Sequence, residues 1–112
     1  MSSEKPPKNI RRKLKELSLK AYETELRMHL GELYNHFKEW DKNELKSAEL
    51  SDFIHQFHHG PSREMYNYYN TVNPDMAVGR AIALEYFSSE EIPEDVYPYI
   101  ANSIEFYKRQ YK

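Results

Sequence analysis

The chain has 112 residues, no cysteine and a formal net charge of -2. That length predicts one domain, and the absence of cysteine excludes disulfides, thiolate nucleophiles and cysteine-based zinc sites. No apolar run approaches the roughly 18 residues that a membrane helix needs, and the N-terminal stretch has no apolar signal core. The sequence therefore predicts a cytoplasmic protein that does not enter a membrane.

Charge is unevenly distributed along the chain. Residues 1–20 hold seven basic and two acidic side chains, whereas the remaining residues hold nine basic and sixteen acidic ones. We predict a disordered basic arm over residues 1–8 and a single helical domain over residues 9–112. The basic patch consists of Lys8, Arg11, Arg12, Lys13 and Lys15. Because the rest of the chain is acidic, the pattern favours a solvated helix end, an acidic partner or a second copy over nucleic acid.

The first predicted helix carries two separate apolar faces. At 100° per residue, one stripe contains Leu19, Tyr22, Leu26, Leu30, Leu33, Phe37 and Trp40. Ile10, Leu14 and Leu17 lie far round from that stripe. We interpret the longer stripe as part of the core, with Trp40 buried, and the three displaced residues as an interface for another chain, unless the helix bends near Ser18.

Four shorter helices are predicted after the turn at residues 41–47. Gly60 and Pro61 mark the end of the second helix and the start of the third, because proline is tolerated in a first turn and not in a helix interior. The fourth, roughly residues 75–87, is apolar or small nearly all round, which is typical of a buried helix, and Gly79 would let a neighbouring backbone approach closely. No alternation of period two persists.

The predicted fold is therefore all-α, a bundle of about five helices with a long N-terminal helix and a buried fourth helix. Its expected core comprises large apolar residues from every helix but the third: Leu30, Leu33, Phe37, Phe53, Phe57, Ile82, Leu84, Ile100 and Ile104. Arg80 lies in the fourth helix, and a guanidinium buried there has to be paired with a carboxylate.

Histidine and acidic residues form two groups at helical spacing. Asp52, His55 and His59 lie at i, i+3 and i+7 on the second helix, a ligand set suited to zinc or another divalent transition metal. On the first helix, His29, Glu32 and His36 share a stripe and could complete the shell if the two helices pack together. The alternative is that both groups are solvated helix faces. The glutamate of HExxH-type metallohydrolases is missing.

Motifs for catalysis are absent from the sequence. It has no GxSxG elbow, no cysteine and no glycine-rich phosphate loop. The sequence favours a small non-enzymatic protein that binds a partner protein or itself as a homo-oligomer, with divalent-metal binding as the alternative function.

Overall fold

The computed structural model describes residues 6–111, which contain helices and no strand. The elements are α1 (Lys8–Asp41), α2 (Ser47–Phe57), α3 (Arg63–Thr71), α4 (Pro74–Ala83) and α5 (Ala101–Gln110), with 3-10 turns at Ser89–Glu91 and Tyr97–Tyr99. The predicted all-α class, long N-terminal helix and buried fourth helix are confirmed. The predicted arm over residues 1–8 falls largely on residues 1–5, which lie outside the described residues, and Lys8 already belongs to α1.

A π-helical segment, His58–Ser62, joins α2 directly to α3. The prediction that Gly60 and Pro61 separate two helices is wrong, because the backbone stays helical through Pro61 and Ser62. A proline in a regular α-helix lacks the N–H that bonds to i−4 and its ring meets that carbonyl. The wider π turn is one way to accommodate both defects. Because α2, the π-helical segment and α3 form one continuous helix, residues 6–111 contain four helices rather than the predicted five.

The ends of α1 and α4 are closed by residues with left-handed backbone. Asn43 has φ 64°, and the Glu44 N–H donates to the Glu39 carbonyl at 2.8 Å. Glu85 has φ 62°, and the Tyr86 N–H donates to the Ala81 carbonyl at 2.8 Å. These bonds satisfy carbonyls that a helix end leaves free. The second closure ends α4 four residues earlier than predicted. The sequence does not mark this helix end, because a glutamate rather than a glycine occupies the left-handed position.

The hydrophobic core lies at one end of the molecule, between the N-terminal half of α1, α4, α5 and the segment that links α4 to α5. Its buried members are Ile10, Leu14, Ala21, Val78, Ala81, Ile82, Phe87, Ile92, Val96, Ile100 and Ile104. The described residues extend over 58 × 27 × 25 Å, with a radius of gyration of 17.3 Å, whereas a compact domain of this length has about 13 Å. The fold is elongated because the C-terminal half of α1 and the antiparallel α2 project beyond that core.

Much of the predicted core is not buried. Ile82, Ile100 and Ile104 are buried as expected, but Leu30 and Phe37 are exposed, and Trp40 is 41% exposed. The prediction of a buried Trp40 is wrong, because α1 is flanked there only by α2, and the indole N–H donates to Ser47 Oγ at 2.9 Å instead. Leu33, Phe53, Phe57 and Leu84 are half-buried.

Candidate interaction surface

The N-terminal half of α1 presents its apolar residues to α4 and to the hydrophobic core of the same chain. Ile10 and Leu14 are 4% and 3% exposed, and Leu17 packs, half-buried, against the same cluster. The prediction that these three residues form an interface with another chain is therefore wrong. Small residues on that side of α1, Ser18 and Ala21, are buried too, and they let the helices approach closely.

Among residues 6–111, no helix packs across the opposite face of α1. We call Leu19, Leu26, Leu30, Leu33 and Phe37 the α1 stripe. Leu19 is 59% exposed, Leu30 45% and Phe37 40%, while Leu26 and Leu33 are half-buried. Tyr34 and Trp40 border the stripe and are exposed.

The spacing of the α1 stripe is that of a helix-pairing seam. Successive members are seven, four, three and four residues apart, which matches the a and d positions of a heptad repeat in which Glu23 occupies the one a position that is not apolar. At 1.5 Å per residue the stripe is about 27 Å long. The apolar face of α1 that was predicted to lie in the core is thus exposed in the structure.

The basic patch lies on the outer side of the first turns of α1. Lys13 pairs with Asp95 at 2.6 Å, and Lys20, just beyond the patch, pairs with Glu91 at 2.8 Å, so the loop between α4 and α5 neutralises part of this end. The other four members, Lys8, Arg11, Arg12 and Lys15, are exposed, and none of them has an ion pair among residues 6–111. They remain available to an acidic surface.

The two histidine groups lie on different sides of the hairpin formed by α1 and α2. His29, Glu32 and His36 line a groove between the helices, where the His36 ring stacks on Phe53 at 3.7 Å between centroids. The Nδ1 atoms of His29 and His36 lie 3.3 Å and 3.1 Å from the carboxylates of Glu32 and Glu39. These contacts hold both rings along α1.

On α2, Asp52, His55 and His59 are all exposed. The rings of His55 and His59 are parallel, with centroids 6.0 Å apart. Within the part of the chain that the structure describes, no group of three or more His, Asp or Glu side chains is placed to hold a metal ion. The structure thus leaves the six predicted ligands in two separate groups, with His29 beside Glu32 on α1 and His55 beside His59 on α2.

A buried ion pair between Glu25 and Arg80 connects α1 with α4. Arg80 Nη1 and Nη2 donate to the two carboxylate oxygens of Glu25 at 3.0 and 3.2 Å. The side chain of Arg80 is 19% exposed and that of Glu25 is 8% exposed. Tyr69 Oη also donates to Glu25 at 2.8 Å, and Arg80 Nε donates to Tyr111 Oη at 3.2 Å. The guanidinium carbon lies 4.9 Å from the Tyr68 ring centroid. The predicted pairing of Arg80 with a carboxylate is confirmed.

The electrostatics of this cluster are those of a structural clamp. Burial raises the pKa of Glu25, but hydrogen bonds from Arg80 and Tyr69 outweigh it and hold the pKa below the ordinary value. Burial, followed by the hydrogen bond to Glu25, raises the pKa of Tyr69 far above its usual range. Both groups therefore keep one protonation state near neutral pH. The cluster ties α1, α3, α4 and α5 together rather than offering a free acid or base.

No family model, curated protein or solved structure matches this chain. In residues 6–111, no helix combines the length and apolarity required to cross a bilayer. The geometry of the chain itself is therefore the basis for a functional proposal.

Sequence patterns mark a second regular apolar side of α1, which is the side that the structure buries. Ile10, Leu14, Leu17 and Ala21 repeat at intervals of four, three and four, which is as regular as the longer stripe. Ser18 and Ala21 add the small side chains of a close helix contact. Periodicity alone does not identify the exposed stripe as a binding surface. It shows that an apolar face needs a cover, but not whether the same chain supplies that cover.

Proposed function

We propose that this protein is a non-enzymatic helical protein that acts by binding another macromolecule, and that its binding surface is the α1 stripe. The observation that carries the proposal is the exposure of Leu19, Leu30 and Phe37 at heptad spacing. We further propose that it works in the cytoplasm, with which a chain of 112 residues without cysteine agrees.

The size of the surface supports a binding role. Leu19, Leu30, Tyr34 and Phe37 are each about half exposed. Since a large side chain can bury about 150–250 Å², these residues and the half-buried leucines leave on the order of 400 Å² of apolar surface open to solvent. A patch of this size is comparable to the largest apolar patch on a typical monomer, and such patches are often functional. Scattered single leucines would not carry this argument, but these residues form one row along one helix.

The chemistry of the partner follows from the shape of the row. A straight seam about 27 Å long, with leucine and phenylalanine at a and d spacing, fits the apolar face of another amphipathic helix. The projecting hairpin consists of two helices, the C-terminal half of α1 and α2, which pack against each other. A third helix on the α1 stripe would give it the apolar interior of a small bundle.

Leu30→Glu is expected to weaken the binding of an amphipathic helix at least tenfold, because it places a charge in the middle of the apolar seam. The probe is a synthetic peptide of roughly three heptads with leucine at a and d. Binding is followed by Trp40 fluorescence, since the indole borders the stripe and shifts to shorter wavelength when it is covered. Protein is kept at low micromolar concentration or below.

Met28→Glu is the matched control. Met28 lies on the same helix and is 52% exposed, but nine residues at 100° each place it half a turn away from Phe37. It should bind the peptide like the parent, and both variants should keep the parent's free energy of unfolding within about 0.5 kcal/mol. Unchanged peptide binding by Leu30→Glu, or equal weakening by Met28→Glu, would contradict the proposal.

Metal binding is the second candidate, and the parallel rings of His55 and His59 favour it. Two exposed imidazoles one turn apart can chelate a divalent transition metal, with Asp52 as the nearest carboxylate on the same side of α2. Calorimetric titration with zinc should show one weak site that His59→Ala removes and that weakens as pH falls, because only neutral imidazoles bind the metal. Equal heats for the parent and His59→Ala would exclude this pair as the site.

A further inference from the structure

We infer that the partner helix is α1 of a second copy, packed antiparallel against the first. The inference rests on the proposed function, since it names the occupant of the same α1 stripe. It comes from two sequence orders along α1. When two copies of the helix lie antiparallel, four of the five stripe residues lie beside each other, and basic residues near one end lie beside acidic residues near the other.

The apolar residues pair when two α1 helices cross at the level of residue 28. In that register Leu19 of one copy lies level with Phe37 of the other, and Leu26 lies level with Leu30. Each contact occurs twice because the arrangement has two-fold symmetry. Four of the five stripe residues therefore meet one another, and Leu33 lies level with Glu23 of the second copy.

The same register brings opposite charges together. Lys15 lies level with Asp41 of the second copy, and Arg12, just beyond Lys15, points toward the turn after α1 that contains Glu44. All four side chains are exposed, and none has an ion pair within residues 6–111. A parallel arrangement would instead place the basic turns of both copies side by side, which is repulsive. The unused charges thus select the antiparallel arrangement.

The expected stability of this dimer follows from its size. About 400 Å² of apolar surface from each copy is half of the roughly 800 Å² per partner of a standard interface, and the charged side chains at both ends add to it, so the interface is a small one. An interface at the small end of that range dissociates within the concentrations used in the laboratory. The dimer should therefore form and dissociate between low micromolar and several hundred micromolar protein, and rising salt should weaken it.

Disulfide crosslinking tests the orientation of the two helices. Because the chain has no cysteine, any disulfide must come from the introduced residues. Leu19→Cys and Phe37→Cys are prepared as separate proteins and oxidised alone and as a mixture. We expect a disulfide-linked heterodimer from the mixture and little linked product from either variant alone, because residue 19 meets residue 37 and not itself. Efficient linkage of Leu19→Cys to itself would overturn the antiparallel arrangement.

Charge exchange measures the flanking contacts in solution. Sedimentation of the parent should show a monomer–dimer equilibrium, which Lys15→Asp and Asp41→Lys each weaken at least tenfold and which the double variant restores to within about threefold of the parent. Both positions are exposed, so circular dichroism should show folded protein throughout. A double variant as weak as the single ones would refute the register.

Failure of this inference differs from failure of the proposed function. If the parent stays monomeric at several hundred micromolar while Leu30 still governs binding of the heptad peptide, the second copy is excluded and the stripe remains a surface for another helix. If the parent dimerises but Leu30→Glu and Phe37→Glu leave the dimer intact, the stripe itself is excluded as the interface.

Discussion

Gly79→Ala is expected to lower the free energy of unfolding by about 1–3 kcal/mol or more, although alanine is the better helix former by about 1 kcal/mol. A Cβ on residue 79 would meet Ser103 Cβ and would lie 2.9 Å from the Ser103 carbonyl carbon and 3.0 Å from the Ile104 nitrogen. Two of these three atoms belong to the backbone of α5, so α4 and α5 would have to move apart. Urea unfolding followed by circular dichroism measures the loss.

Gly31→Ala provides the control for helix propensity. Gly31 lies inside α1, and a Cβ there would meet nothing within 4 Å. The same substitution should therefore stabilise the protein by up to about 1 kcal/mol. If Gly79→Ala is as stable as Gly31→Ala, the close contact between α4 and α5 is not present.

Glu25→Leu is expected to cost about 3–5 kcal/mol, because it leaves the Arg80 guanidinium buried without its bidentate partner. Glu25→Leu combined with Arg80→Met should cost much less than Glu25→Leu alone, since no unpaired charge remains. The difference between the two variants, taken from urea unfolding, measures the penalty of the orphaned charge. A double variant that is less stable than Glu25→Leu would show that the pair is not coupled as the structure indicates.

The same ion pair predicts an acid dependence of stability. The pKa of Glu25 is lower in the folded than in the unfolded chain, so the carboxylate stabilises the fold fully at pH values above its ordinary pKa of about 4.3. That stabilisation is lost as pH falls through the folded pKa. Below about pH 4 the parent should therefore lose more stability than the double variant, which has no carboxylate at residue 25.

Local sequence patterns were sufficient for the fold class and for α4. The apolar and small residues on every side of α4 could only be accommodated by burial, and Gly79 marked the close contact with α5. The π-helical segment was not predictable in the same way, because Gly60 and Pro61 are individually typical of a helix end. What keeps the chain helical there is the wider turn at His58–Ser62, which leaves no periodic signal.

The functional surface required the tertiary structure. A helix with two apolar faces of equal regularity does not reveal which face its own chain covers. Packing of α4 on the Leu14 side of α1 decides this, and the position of α4 depends on residues far along the chain. For Arg80, the need for a carboxylate could be predicted from burial, but the choice of Glu25, 55 residues away, could not.

Equilibrium unfolding of Leu14→Ala and Leu30→Ala, at protein concentrations where the chain is monomeric, tests the assignment of the two faces of α1 most directly. Leu14 is buried in the core and Leu30 lies on the exposed stripe. Leu14→Ala should lower the free energy of unfolding by about 2–5 kcal/mol and Leu30→Ala by less than about 1 kcal/mol. A loss for Leu30→Ala that equals or exceeds the loss for Leu14→Ala would show that the stripe belongs to the core and has no free surface to offer a partner.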